Sequence, residues 1–346
     1  MKAFLPLPKP QVGDTAAIVS PSAALAEFFP WVHDLGLTRL RDEFGLIPKE
    51  YPTTRRHGSS YKERAYDLMS AFQDESVKAV LSTVGGEDEI GLIKYLDPEV
   101  FLAHPKPFFG YSDNTHIHNF LWRLGIPSYY GFSTLAHMAM EGGMHDLTVR
   151  SLRHAFFESG PMTLEVGTEF TDINLDWADK ANMDLVRPME PNDGWYWDGD
   201  TDACGILWGG CYEVLQELFV EGRYVPDDED MDGIVFYMET SELIPDPFLV
   251  GYFLTGLGER GWLDRFSAIL VGRPKAWSLS CQNDPAVRAE YRSAQRESIL
   301  SAVRTYNHRI PVVQNLDFGH TDPQAIIPNG GWAEVVSSTR TITLTY

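Results

Sequence analysis

Three side chains far apart along the chain, Ser112, Glu239 and His320, have the types and settings that could do chemistry together. Ser112 sits in Phe108-Phe109-Gly110-Tyr111-Ser112-Asp113-Asn114-Thr115, where a buried apolar run meets the start of a helical pattern. A serine there stands at the positive end of a helix, among backbone N–H groups that lack intrahelical partners. Such groups can hold a developing oxyanion. The same position also suits a Ser112 or Asp113 that merely caps the helix. The segment departs from the G-x-S-x-G elbow, because Asn114 stands where that pattern has glycine.

A serine hydroxyl is a weak nucleophile and needs a base. Of the ten histidines, His320 lies in Asp317-Phe318-Gly319-His320-Thr321-Asp322-Pro323, just after the apolar Val312-Val313. That is a loop at a strand end, where functional groups are often displayed. His116 and His118 fall in the helical stretch after Ser112 and read as helix-surface or core residues. Glu239 closes the apolar run Ile234-Val235-Phe236-Tyr237-Met238. A buried carboxylate there needs a partner. An imidazole is a natural one, since the carboxylate fixes its tautomer and steadies the imidazolium. An exposed glutamate at a strand end is the other reading.

A calcium loop competes for the same glutamate. Asp228, Asp230, Asp232 and Gly233, followed by five residues and Glu239, match that pattern in full. The five intervening residues are apolar and β-prone, and Pro245 and Pro247 cut short any exit helix. The acidic run therefore reads as a solvated loop before a strand. No HExxH occurs, and no Gly-Lys-Ser/Thr follows Gly85-Gly86, so no metal and no nucleotide cofactor is expected.

The elements that must position these residues alternate in type. Strands are predicted at 15–20, 77–84 and 107–111, with helical spacing over 61–72 and 114–124. Strands alternating with helices argue for an α/β fold with a mostly parallel sheet covered on both faces. From about Gly160 to Gly205 the pattern lapses into a stretch holding Pro188, Pro191, Gly194, Gly199 and three tryptophans. A second regular region follows, with strands near 233–238, 268–271 and 339–345 and a helix near 286–303. The expected division is a nucleophile domain over 1–160, a linker and tryptophan-rich loop over 161–204, and a smaller α/β domain over 205–346. Trp195 and Trp197 are two apart, so in an extended segment both rings point to one side. They are expected to line the substrate pocket, where one could stack on a flat base. Packing of the linker onto a domain is the competing reading.

Several short motifs, in order, carry a resemblance over nearly the whole chain. They are Gly13-Asp14-Thr15-Ala16-Ala17-Ile18-Val19-Ser20-Pro21-Ser22, Lys78 to Gly86 (KAVLSTVGG), Gly110-Tyr111-Ser112-Asp113, Glu239-Thr240-Ser241-Glu242, Gly272-Arg273-Pro274, and Phe318-Gly319-His320 with Pro323, Pro328 and Gly330. This set resembles the LD-carboxypeptidase group of serine peptidases, which includes the microcin C immunity proteins. The resemblance implies a Rossmann-like N-terminal domain carrying the nucleophile Ser112, and a C-terminal domain carrying the base His320 and its orienter Glu239. It implies a site between the domains, with an oxyanion hole from backbone N–H groups of Gly85, Gly86 and Asp113. It implies hydrolysis of an amide bond near a free carboxylate or in a peptidyl- or aminoacyl-nucleotide conjugate. A murein tetrapeptide losing terminal D-alanine is the alternative, and a binding protein on the same fold that has lost activity is a third. One departure concerns Glu87-Asp88-Glu89, where many relatives carry small or aromatic residues. Carboxylates pointing inward there would oppose a substrate carboxylate.

Composition narrows the partners. The 346 residues are 44% hydrophobic and 22% charged, ordinary for a globular chain with a real core. A formal net charge of −21 repels phosphate backbones, which excludes nucleic acid as the main partner. Three cysteines without a CxxC pair do not make a disulfide framework and fit a reducing cytoplasm. Prolines break the apolar start, so no signal peptide is read, and no apolar run reaches the ~18 residues that span a bilayer. A cytoplasmic homodimer acting on a small peptide or peptidyl-nucleotide, away from membranes, is expected.

Overall fold

Successive residues of a strand point to opposite faces, and in the first strand both faces are apolar. The computed structural model describes residues 2–346. Its first sheet takes β1 (Thr15–Val19), β2 (Ile47–Glu50), β3 (Val77–Ser82), β4 (Phe108–Gly110) and β5 (Ser128–Tyr130). The strand order from β5 is β5-β4-β3-β1-β2, all parallel. Between them run α1 (Pro30–Phe44), α2 (Tyr61–Gln73), α3 (Ile90–Ile93), α4 (Pro98–Ala103) and α5 (Thr115–Arg123), and α6 (Asp146–Phe157) follows β5. Ala17, Val19, Val80 and Phe108 pack on α2 and α5 through Leu68, Phe72 and Phe120. Ala16, Ile18, Leu81 and Phe109 pack on the other face against Leu40 and Phe44 of α1 and Phe156 of α6. Each large apolar side chain buried this way contributes roughly 1.5–3 kcal/mol, which is why an all-apolar parallel strand is stable only with both faces covered.

The stretch read as linker and loop holds four short strands: β6 (Pro161–Thr163), β7 (Glu169–Phe170), β8 (Glu190–Pro191) and β9 (Tyr196–Asp198). Elements of two or three residues between prolines and glycines leave no periodicity to read. Beyond it come β10 (Ala203–Cys211), α7 (Tyr212–Glu221), β11 (Val235–Glu239), α8 (Pro247–Glu259), β12 (Ala268–Gly272), α9 (Pro285–Tyr306) and β13 (Val312–Leu316). The chain ends with β14 (Ile327–Asn329), β15 (Trp332–Val336) and β16 (Thr341–Thr345). The second sheet has the order β6-β16-β15-β10-β11-β12-β13-β9. Strands β10 to β13 are parallel and the outer pairings antiparallel. β14 returns to the first sheet and pairs antiparallel with β5, so the two sheets are tied together by a late strand. Among the described residues no helix is long and apolar enough to cross a membrane.

Candidate active site

Ser112 follows β4 after one residue, Tyr111, and its backbone lies in the left-handed region with φ +61. A non-glycine residue held there costs on the order of 1–3 kcal/mol, a strain that surrounding structure must impose. A short turn over Ser112–Asn114 then leads into α5, and no side-chain cap bond is made at either start. The hydroxyl is thus not spent on capping. Instead Ser112 Oγ lies 3.1 Å from His320 Nε2. Room for it comes from Gly85, where an added Cβ would sit 2.7 Å from the Ser112 Cβ.

His320 stands on the loop after β13. Its Nδ1 is 2.6 Å from Glu239 Oε2, at the fully buried end of β11. Gly319 (φ +107) allows this approach, since a Cβ there would lie 2.7 Å from Glu239 Oε2. The Tyr130 hydroxyl, from β5, donates to Glu239 Oε1 at 2.5 Å and accepts the Ser112 N–H at 3.1 Å. On the other ring nitrogen, Glu242 Oε2 comes within 3.2 Å of His320 Nε2. Burial alone would depress the imidazole, but the carboxylates of Glu239 and Glu242 outweigh it and push it up to about 9.

The histidine loop is clamped at both ends. Arg273 donates to Asp317 at 2.7 Å, and Arg187 donates to Asp322 at 2.9 Å and to Glu141 at 2.6 Å, all buried. Lys275 donates to the His320 carbonyl at 3.2 Å and to the Asp172 carbonyl at 2.7 Å, and burial pulls its ammonium down to about 8. Breaking a buried pair costs about 3–5 kcal/mol, so these contacts hold the loop in one place.

The acidic run near the serine is sorted rather than pooled. Asp88 pairs with Arg64 at 2.9 Å. Glu89 is fully buried and accepts from Asn114 Nδ2 at 2.6 Å and the Ile117 N–H at 3.2 Å, at the start of α5. Glu87 is exposed and Asp88 half-exposed, and both line the cavity. The Asp113 carboxylate accepts the N–H groups of Asp88 and Glu89 at 3.0 and 2.9 Å and the Ser22 hydroxyl, which fixes the Gly85–Glu89 turn beside Ser112. A cavity of about 580 Å³ opens over Ser112 and His320, with Gly85, Glu87, Glu242 and Arg56 on its walls.

Ser112, Glu239 and His320 are thus brought together, with Gly85, Gly86 and Asp113 beside the serine. Trp195 and Trp197 are not on this cavity, contrary to the expectation that they line it. Trp197 pairs with Val313 at the β9–β13 edge. Trp195 donates to Asp317 at 3.1 Å, and both rings pack on the core under the second sheet. The extended spacing does put both on one side, but that side is the protein interior. His116 and His118 are buried, and His118 bonds Ser128 and the Gly110 carbonyl. The acidic calcium pattern is divided among Trp262 and Arg260 at Asp228, Lys2 and Arg123 at Asp230, and Arg265 at Asp232. Sequence reading missed Tyr130, Arg187 and Lys275. Arg273 and Glu242 had a signal, in the Gly272-Arg273-Pro274 and Glu239-Thr240-Ser241-Glu242 motifs, which assigns neither a role.

Residues 16–131 match the LD-carboxypeptidase N-terminal domain and residues 204–335 the LD-carboxypeptidase C-terminal domain. YocD of Bacillus subtilis (strain 168), whose carboxypeptidase name is provisional, is 30% identical over 95% of this chain and 96% of its own. The Microcin C7 self-immunity protein MccF of Escherichia coli is 23% identical over 92% of this chain and 89% of its own. The crystal structure of an MccF-like protein from Streptococcus pneumoniae in complex with AMP superposes with a TM-score of 0.83 at 27% identity, covering 96% of this chain and 99% of that one.

Proposed function

The chain belongs to the LD-carboxypeptidase family, and from that premise we propose that it is a serine hydrolase cleaving an acyl carbon–nitrogen bond, with Ser112 as nucleophile, His320 as general base and Glu239 as the carboxylate that orients it. The observation that carries this reading is the unbroken line from Ser112 Oγ through both His320 nitrogens to Glu239, opening on one cavity. Ser112 Oγ attacks the carbonyl carbon while its proton passes to His320 Nε2. The oxyanion is received by backbone N–H groups of Gly85, Gly86 and Asp113. His320 then gives that proton to the leaving nitrogen as the carbon–nitrogen bond breaks, leaving an acyl-Ser112 ester. Water attacks the ester, His320 takes its proton, and Ser112 Oγ recovers it as the acid departs. Glu239 accepts the His320 Nδ1 hydrogen bond throughout and keeps that proton in place.

The substrate we favour is an aminoacyl or peptidyl nucleotide conjugate. The AMP held by the Streptococcus pneumoniae relative and the self-immunity role in the Escherichia coli relative's name support it. Release of D-alanine from a murein tetrapeptide is the second reading, favoured by the family's own description. Incubating the pure protein with an aminoacyl sulfamoyl adenosine and with murein tetrapeptide separates them. Release of free amino acid from the nucleotide alone supports the first. D-Alanine release without nucleotide cleavage overturns it in favour of the second. Binding without turnover of either marks an inactive binding protein.

A further inference from the structure

Glu242 is not needed as a member of the Ser112, His320 and Glu239 line, yet it stands at its reacting end. Its Oε2 is 3.2 Å from His320 Nε2, the nitrogen that also faces Ser112 Oγ at 3.1 Å. Among the described residues its only ion pair is with that imidazole, and its side chain is 56% exposed on the cavity wall. Its neighbours differ. Asp88 is matched by Arg64, and Glu89 and Glu213 are turned inward onto backbone N–H groups or the Ser241 hydroxyl.

The distances set what a substrate places there. Glu242 Oε2 lies within about 6 Å of Ser112 Oγ, because both atoms touch the same nitrogen. An acyl carbon poised for attack sits roughly 3–3.5 Å from the hydroxyl. A free amine on the adjacent carbon is a further ~2.5 Å away, from standard N–Cα and Cα–C lengths. Spans of this size let the ammonium reach salt-bridge distance of Glu242 when the acyl half is turned toward that wall. An α-amine titrates near ~8, so it is largely ammonium at neutral pH.

Resting on the serine-hydrolase reading, we propose that Glu242 is the specificity-determining residue that receives the free α-ammonium of the substrate's acyl half, so that aminoacyl compounds with an unblocked amine are preferred over N-acylated ones. A substrate ammonium on Glu242 also draws that carboxylate away from His320 Nε2. This leaves the nitrogen to Ser112, so the correct substrate helps release its own base. A blocked amine offers only a neutral N–H and leaves Glu242 on the imidazole.

The test uses alanyl sulfamoyl adenosine and its N-acetyl derivative, bound by calorimetry to the Ser112→Ala protein so that turnover does not interfere. The free amine is expected to bind about 10- to 100-fold tighter, the ratio one charge-assisted hydrogen bond supplies. Adding Glu242→Gln should bring the two within about threefold, less than one such bond, while Glu242→Asp keeps part of the preference. Glu87→Gln, a carboxylate change on the same cavity, should leave the ratio standing. Equal affinities in Ser112→Ala, no binding of either compound, a preference that survives Glu242→Gln, or one that collapses with Glu87→Gln would each overturn the assignment. Hydrolysis of the same compounds by the unaltered protein, and its loss in Ser112→Ala, tests the serine-hydrolase reading separately.

Discussion

The Tyr130 hydroxyl reaches across from the first sheet to Glu239 on the second, 2.5 Å from Oε1, while holding the Ser112 N–H at 3.1 Å. One phenol thus joins the backbone of the proposed nucleophile to the carboxylate behind the base. Burial, then the charge of Glu239, pushes its ionisation well above the usual range, so it stays a donor. Tyr130→Phe should remove both bonds without changing the ring's volume. Leaving a buried carboxylate short of a donor costs about 1–3 kcal/mol. We expect that loss in urea unfolding, together with a drop of about tenfold or more in kcat/KM. Unchanged stability and unchanged turnover would show the bond to be idle.

Ser112→Ala should abolish hydrolysis, with kcat falling at least about 10³-fold, as when a triad nucleophile is removed. The fold should persist, because the Oγ contact to His320 lies at the cavity and not in the core. Ser112→Gly should be as inactive yet more stable, since φ +61 suits glycine. The expected gain is about 0.5–1 kcal/mol. A glycine variant less stable than the alanine one would contradict the strain at this turn.

The base must be neutral to accept the serine proton, and His320 is pushed up to about 9. In the free enzyme kcat/KM should therefore rise with pH, about tenfold per unit, until it levels near 9. Glu242→Gln removes one of the raising carboxylates and should move this limb to lower pH. A wild-type limb at 6.5, the ordinary histidine value, would refute the two-carboxylate setting. Stability follows the opposite sign. A folded value above the unfolded one contributes stability that is whole below 6.5 and lost as pH rises through about 9. The stability gap between wild type and His320→Gln should shrink over that window.

Trp195→Ala and Trp197→Ala should act on stability and not on substrate choice. Both rings pack on the core under the second sheet, and Trp195 also holds Asp317 at the start of the histidine loop. Half-buried, each should cost about 1–3 kcal/mol, below the range for fully buried tryptophans. Any fall in turnover should be the same for nucleotide conjugates and murein peptide. A loss confined to nucleotide substrates would place these rings on the ligand after all.

Calcium should find no site at Asp228, Asp230, Asp232 and Glu239. Each of these carboxylates is held by different partners, and Glu239 is bound to His320 and Tyr130. Titration calorimetry is expected to show no calcium heat, and EDTA to leave activity unchanged. A micromolar site lost in Asp228→Asn would reverse this.

Local spacing alone sufficed for the longer strands and helices named from the sequence, though not for the short strands between Gly160 and Gly205, and for placing Ser112 at a strand end and His320 on a loop. Apolar runs such as Thr15–Val19 and Val235–Glu239 state their own burial, because a strand buried on both faces must be apolar throughout. The trio itself was legible from short motifs in order. The tertiary structure decided the rest. Tyr130 and Glu239 are 109 residues apart, and Arg187 and Asp322 are 135 apart. No periodicity links positions so distant, so their pairing exists only once the chain has folded. The same is true of the Glu87-Asp88-Glu89 run, whose three like side chains go to solvent, to Arg64 and to the start of α5. Charge in a sequence is a count, but its effect depends on which way each carboxylate points. The two tryptophans show this for apolar groups: alternation sets which rings share a side, and only the fold decides whether that side is a cavity or a core.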